Sequence, residues 1–473
     1  MSVLKLFHNI GMLLVARGFN IVQSILIMSI IARYLSVELF GKYALATDTI
    51  FIVVPLLKFG LSQILVREIA RDRAKAAENV FIVLAIRTLI FVIIAAVIVV
   101  VAESMAIDSQ IRFAIYLAAI SEFLFTLVGM STDVFIGYER MKYVSILITV
   151  NRFLILVATI AVAYFDWGFY NLFTSAIAIN IVSTILGFYM MLSKFIVPKV
   201  SFDKERIRFF MREAYVIGLA AFFIEISFRM DTFFLTARGY DEVAFFGVPL
   251  RIVSRLMILS VVITESTLPV FSRLAKLSHK ETLDFLSQSF KYINIVLLPI
   301  CVLFTFFPEE IITLIFSDKF VQSVPSMRIM IWVFLFFSVI MYMGNVLIAI
   351  NRQNITVGIM LFGILINLAA DIFLIPLYGH VGASIGKFFS FGVMAFGTTY
   401  FVIKRLGMFQ FSKSVLRPGL CALACGVLIY ALVDFNSILG VASGGVVYCG
   451  GLFATRSISI SELMNFGKIV GKV

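Results

Sequence analysis

Charge, histidine, cysteine and proline are all scarce in this chain, and each scarcity removes a class of protein. Only 14% of the 473 residues are charged, well below the roughly 25% usual in a soluble domain. The three histidines, His8, His279 and His380, stand apart near loops. The four cysteines, Cys301, Cys421, Cys425 and Cys449, lie inside apolar segments. Cys421 and Cys425 are one helical turn apart, yet no histidine or further cysteine joins them, so they read as packing residues and not as zinc ligands. A phosphate-cradling glycine loop and a nucleophile triad are also missing. No catalytic residue, cofactor or metal is expected. With 9 prolines and no long polar or repetitive tract, no stretch reads as a separate soluble domain or a disordered tail.

What the chain has instead is apolar sequence: 62% of residues are hydrophobic and the mean hydropathy is +1.07. Its apolar runs are about 20 residues long, the length of a helix that spans a hydrocarbon core of roughly 30 Å, and not the alternating runs of about 10 that mark barrel strands. Fourteen such windows lie between residues 10 and 455. The expected fold is therefore an all-α integral membrane protein of about 14 transmembrane helices. The first window carries Arg17 and lacks a small-residue cleavage site, so it is expected to stay as the first span.

Basic residues give the orientation, because Lys and Arg accumulate in cytoplasmic connections. Every second connection is basic: Arg67 to Lys75, Arg140 with Lys142, Lys194 to Arg212, Arg273 to Lys291, Arg352, and Lys404 to Arg417. The alternate connections hold only Arg33, Lys42, Arg112, Arg238, Lys319 and Arg328. Both termini are expected in the cytoplasm, and the net charge of +12 is accounted for without a nucleic acid partner.

One turn has an echo. Ala32 to Ala46, ARYLSVELFGKYALA, shares its Ala-Arg opening, an acidic residue and a Phe-Gly pair with Ala237 to Gly247, ARGYDEVAFFG. Laying spans 1–6 over spans 7–12 places both at the outer turn of a half. Halves with an even number of spans are parallel copies, the arrangement of rocker-type secondary transporters. The division expected is an N-terminal lobe of residues 1–200, a C-terminal lobe of 201–405, and a last segment of 406–473 holding two further helices.

Three segments also carry a resemblance: Ala32 to Ala46, LPVFSRLAK at Leu268 to Lys276, and IPLYGHVGASIG at Ile375 to Gly386. In this order and spacing they resemble the polysaccharide flippases, the Wzx-type O-antigen or O-unit flippases of the MOP exporter superfamily. The resemblance implies two pseudo-symmetric six-helix lobes around a central cavity. It implies as substrate an undecaprenyl-pyrophosphate-linked oligosaccharide moved from the cytoplasmic to the periplasmic leaflet of a bacterial inner membrane. Membrane lipids, a polysaccharide polymerase and a chain-length regulator are the partners it suggests.

Eight basic residues fall inside spans: Arg17, Lys58, Arg87, Arg152, Arg229, Arg251, Arg255 and Lys387. A charge at mid-bilayer costs at least about 2.5 kcal/mol, so such residues face protein or water and are functional candidates. Arg251 and Arg255 share a helix face, as do Glu225 and Arg229, which favours an internal pair. Arg17, Lys58, Arg229, Arg251 and Arg255 lie on spans 1, 2, 7 and 8, the corresponding ones of the two halves, and are the candidate pyrophosphate ligands. Arg87, Arg152 and Lys387 are expected to pair or snorkel. The acids Asp48, Glu122, Glu225, Asp231, Glu265 and Asp371 bring the intramembrane charge close to neutral. Glu225, Asp231 and Asp371 are candidates for proton coupling, with Asn367 and Asp371 equally readable as interhelical hydrogen-bond glue. Arg33, Glu38 and Lys42 at the outer turn are candidates for a gate.

Two other readings fit the same pattern: a lipid II flippase of the same superfamily, and a cation-coupled multidrug exporter, whose cavity would favour acids over the Arg251 and Arg255 pair. A polymerase or lipid-donor glycosyltransferase would need a long outer loop or an acidic metal motif.

Overall fold

The computed structural model describes residues 22–104, 108–410, 412–432 and 437–458. Among them there is no β-strand, because a chain this apolar must satisfy its backbone within each segment. The helices are α1 (Val22–Tyr34), α2 (Val37–Lys58), α3 (Leu61–Arg71), α4 (Ala76–Ser104), α5 (Ser109–Gly137), α6 (Met141–Tyr164), α7 (Asn171–Lys194), α8 (Lys204–Leu235), α9 (Tyr240–Leu277), α10 (His279–Phe306), α11 (Pro308–Ile315), α12 (Val324–Ala349), α13 (Gln353–Leu406), α14 (Arg417–Leu432) and α15 (Ser437–Ala454). Ten described helical segments are long and apolar enough to cross a membrane. Counting both arms of α13, which break at Gly379 (φ 56°, ψ −134°), and adding α1, α8 and α15 matches the fourteen windows. The protein is a multi-pass, all-helical membrane protein.

Contacts divide the chain into two units, residues 23–244 and a second made mainly of 245–473. In the first, α5 packs on α7 and α2, and α8 packs along α2. Its apolar core joins Leu65 and Ile69 of α3, Val80 and Val83 of α4, Val134 and Phe135 of α5, Leu147 of α6, Met191 of α7 and Phe210 of α8. The helix that opens the second half by sequence is therefore built into the same compact unit as the first half.

In the second unit α12 packs on α13, and α10 receives both α12 and α14. Cys421 and Cys425 of α14 sit in a cluster with Val302 of α10 and Leu452 of α15. They are free thiols used as small hydrophobic residues, and no group of His, Cys, Asp or Glu able to hold a metal occurs among the described residues.

Two features differ from the sequence expectation. The second window, read as one span, is interrupted at Phe59 (φ 45°, ψ 28°) and Gly60 (φ 69°, ψ 0°), both left-handed. Pro55 carries no N–H, and the Phe59 N–H closes the first piece on the Pro55 carbonyl at 2.7 Å. A side chain at Gly60 would meet Ile217 Cβ of α8 at 2.7 Å, so the bend lets α8 approach closely. The connection read over Phe271 to Phe290 is helical apart from Ser278, whose hydroxyl accepts from the Glu281 N–H at 3.3 Å. This Ser-x-x-Glu start restarts the helix after a single residue.

Candidate functional site

Two ionic contacts inside the spans of residues 23–244 join α2 to α8 and α4 to α5. Arg229 of α8 is held from two sides. Its Nε donates to Glu225 Oε2 at 2.8 Å, one turn back on the same helix, and its Nη1 pairs with Asp48 Oδ1 of α2. The guanidinium also lies over the Phe51 ring, 4.6 Å from its centroid. Asp48 is only 1% exposed and accepts in addition from Thr232 at 3.4 Å. An ion taken out of water needs this density of partners, because desolvating it is expensive. The Glu225–Arg229 pair expected from their spacing is present. Asp48 is the partner that spacing could not supply, since it lies 181 residues away in sequence.

A second ionic contact lies in the same unit. Arg87 of α4, 1% exposed, donates through Nη2 to Asp133 Oδ2 of α5 at 2.9 Å and to Ser62 Oγ of α3 at 2.7 Å. Arg87 is thus the paired residue its sequence context suggested. Ser62 is the second residue of α3, so this contact also fixes the piece of helix that follows the break. Lys58 stands at the exposed end of α2, immediately before that break. Arg152 of α6 lies over the Phe125 ring at 5.7 Å.

At the outer turn, Lys42 is the hub. Its Nζ reaches Asp108 Oδ2 at 2.8 Å, Glu38 Oε1 at 3.0 Å and Gln110 Oε1 at 3.0 Å, and lies 5.3 Å from the centroid of the Tyr240 ring. Asp108 lies outside the spans, and its carboxyl is held below its usual range chiefly by the Lys42 hydrogen bond and then by the Gln110 N–H. Gly41 abuts the turn that echoes its own: a Cβ there would fall 1.9 Å from the Tyr240 carbonyl oxygen. The two turns with matching sequence are therefore in contact. Arg33 is exposed at the end of α1.

The second unit holds its named residues differently. Asp371 and Lys387 are fully buried on the two arms of α13. Asn367 donates to Asp371 Oδ2 at 2.9 Å within one arm, and Ser390 on the other arm donates to Asn367 Oδ1 at 3.0 Å, so Asn367 takes part in a bond between the arms. Lys387 Nζ lies about 6 Å from the Phe246 and Phe391 rings. Arg251 donates to the Gly247 carbonyl at 3.2 Å, with Arg255 on the same face of α9 one turn on. Asp231 is buried near the end of α8. Arg17 and the Glu265 side chain lie outside the described residues.

The sequence pattern of polysaccharide biosynthesis proteins matches residues 6–275, more than half of the chain. The chain belongs to the polysaccharide biosynthesis protein family. The pattern of the lipid II flippase MurJ matches residues 250–444 of this family member. A curated relative, the uncharacterized membrane protein MJ1068 of Methanocaldococcus jannaschii, is 26% identical, with 92% of this chain and 91% of that protein covered. Among solved structures, lipid II flippase MurJ in an inward closed conformation superposes with a TM-score of 0.76 at 14% identity, covering 93% of this chain and 98% of that one. An inward-facing multidrug resistance MATE family transporter of the MOP superfamily gives 0.71 at 16% identity, covering 81% and 94%. At these identities the likeness is one of fold: this polysaccharide biosynthesis protein has the helical architecture of a MOP-type transporter.

Proposed function

We propose that this protein is a flippase moving an undecaprenyl-pyrophosphate-linked oligosaccharide from the cytoplasmic to the periplasmic leaflet of a bacterial inner membrane, for surface polysaccharide such as O-antigen. The observation that carries the reading is Arg229, a cation inside a membrane helix whose two carboxylate partners come from different helices. In a chain of the polysaccharide biosynthesis family, such a cation can exchange Asp48 and Glu225 for a more highly charged pyrophosphate. Arg17, Lys58, Arg251 and Arg255 are the further ligands along the path. The lobes 1–200 and 201–405 rock about the substrate, with 406–473 outside the repeat, both termini cytoplasmic, and Arg33, Glu38 and Lys42 shaping the outer gate. Glu225, Asp231 and Asp371 are the groups available to couple a proton, and a polymerase and a chain-length regulator would act on the product.

The test is complementation in a cell lacking its own flippase. Arg229→Gln, or Arg251→Ala with Arg255→Ala, should abolish surface glycan while the protein still reaches the membrane. Intact glycan in both would overturn the reading. The MurJ match over residues 250–444 favours a second reading, a lipid II flippase, which rescue of peptidoglycan synthesis would select. Ethidium efflux without glycan export would select a multidrug exporter.

A further inference from the structure

On the end of residues 23–244 that carries the basic connections, a cavity of about 640 Å³ opens between the turn joining α5 to α6, the single 3₁₀ turn Arg73–Lys75, and the end of α7. Three cations line it: Arg73, Arg140 and Lys194. The one acid at its wall is Glu139, and among the described residues none of the three cations lies within ion-pair distance of a carboxylate. Their neighbours on the same end behave otherwise. Arg67, Arg71 and Arg206 all converge on Glu68, at 3.3, 3.6 and 3.4 Å, and Lys199 reaches Glu78 at 3.5 Å.

Like charges gathered around one space repel, and where an acid is available a chain normally supplies it. Here the wall offers rings instead. Arg73 lies over Tyr138 at 5.4 Å and Lys194 over Tyr143 at 5.1 Å, which holds each cation against an aromatic face without cancelling its charge. The backbone helps as well: Glu139 takes a left-handed φ of 60°, and the Arg140 N–H bonds back to the Phe135 carbonyl at 2.8 Å, fixing where Arg140 leaves the turn. The volume falls in the range of sites for small ligands. A preformed, net-positive cavity with two guanidinium donors suits a phosphate group.

We propose that this cavity binds a phosphate-bearing anion, either the headgroup of an anionic phospholipid or a soluble phosphoanion, at a site separate from the charges inside the spans. The full-length protein, purified in an uncharged detergent, is compared by native mass spectrometry for retention of phosphatidylglycerol against phosphatidylcholine, and by equilibrium dialysis for inorganic pyrophosphate. The variant combines Arg73→Gln, Arg140→Gln and Lys194→Gln; the control removes equal charge nearby with Arg71→Gln, Lys199→Gln and Lys204→Gln. The expected result is a loss of about tenfold or more in affinity for one probe in the variant and little change in the control. Preference for phosphatidylglycerol assigns the lipid source, and preference for pyrophosphate the soluble one. Binding of neither probe above phosphatidylcholine, or equal loss in variant and control, overturns the proposal. Should the triple variant fold poorly, Arg140→Glu at an exposed position gives the same reading. Glycan export by Arg229→Gln is scored separately, so either proposal can fail alone.

Discussion

A buried ion pair in the first unit and a buried neutral hydrogen bond in the second fix apolar helices in register with different chemistry. In residues 23–244 the buried polar contacts include full ion pairs between helices, Arg87 with Asp133 and Arg229 with Asp48. In the second unit neutral groups also join helices: Ser390 to Asn367, Asn345 to the Thr264 carbonyl at 3.1 Å, Asn294 to the Ser414 carbonyl at 3.2 Å, and Ser260 to Ser338. The difference teaches where change is costly. A neutral hydrogen bond between membrane helices contributes about 0.6 kcal/mol on average, whereas removing one member of a buried ion pair strands the other.

The largest effect should therefore come from Asp133→Ala, which leaves Arg87 charged and 1% exposed. A destabilisation of about 3–5 kcal/mol is expected in detergent unfolding, and Asp133→Leu with Arg87→Met should recover most of it. If the single variant costs no more than a neutral contact, the comparison between the two kinds of contact fails. Next is Ser390→Ala on the second arm of α13, with an expected cost of about 0.6 kcal/mol. A loss as large as that of Asp133→Ala would show that the second unit depends on its buried polar contacts as heavily as the first. Smallest is the outer turn. Because the Asp108 carboxyl titrates below its ordinary 3.8 when folded, its contribution is fully present above that pH and is lost as the pH falls through the lower folded value. With its side chain 34% exposed, the contribution should stay under about 1 kcal/mol. Melting temperatures of wild type and Asp108→Asn should differ at neutral pH and converge on acidification; a constant gap would remove Asp108 from the Lys42 hub.

How far the sequence carried the site depends on how local each contact is. Glu225 and Arg229 were legible because helical geometry alone sets partners four apart. Asn367 with Asp371 was legible for the same reason. Asp48 was visible only as one acid among several, and its pairing with Arg229 spans 181 positions, which no periodicity encodes. The Lys42 hub shows the same division: Glu38 is one turn away, while Asp108 and Gln110 come from the next connection but one. The break at Phe59 and Gly60 was hinted at by Pro55, but a proline is also tolerated in an unbroken membrane helix. Only the approach of α8 makes the bent form the better packed one.

The sequence by itself determined that this is a many-span helical membrane protein, because hydropathy over about 20 residues is a sum of local terms that any packing must respect. It also marked the two turns that echo each other and the charges too costly to leave facing lipid. Which helices share a unit, which acid meets which cation, and which cations remain around an open cavity were decided only by tertiary structure. These depend on distances between segments far apart in the chain, and an ion pair in a low-dielectric interior is worth keeping only where those distances close to hydrogen-bond range.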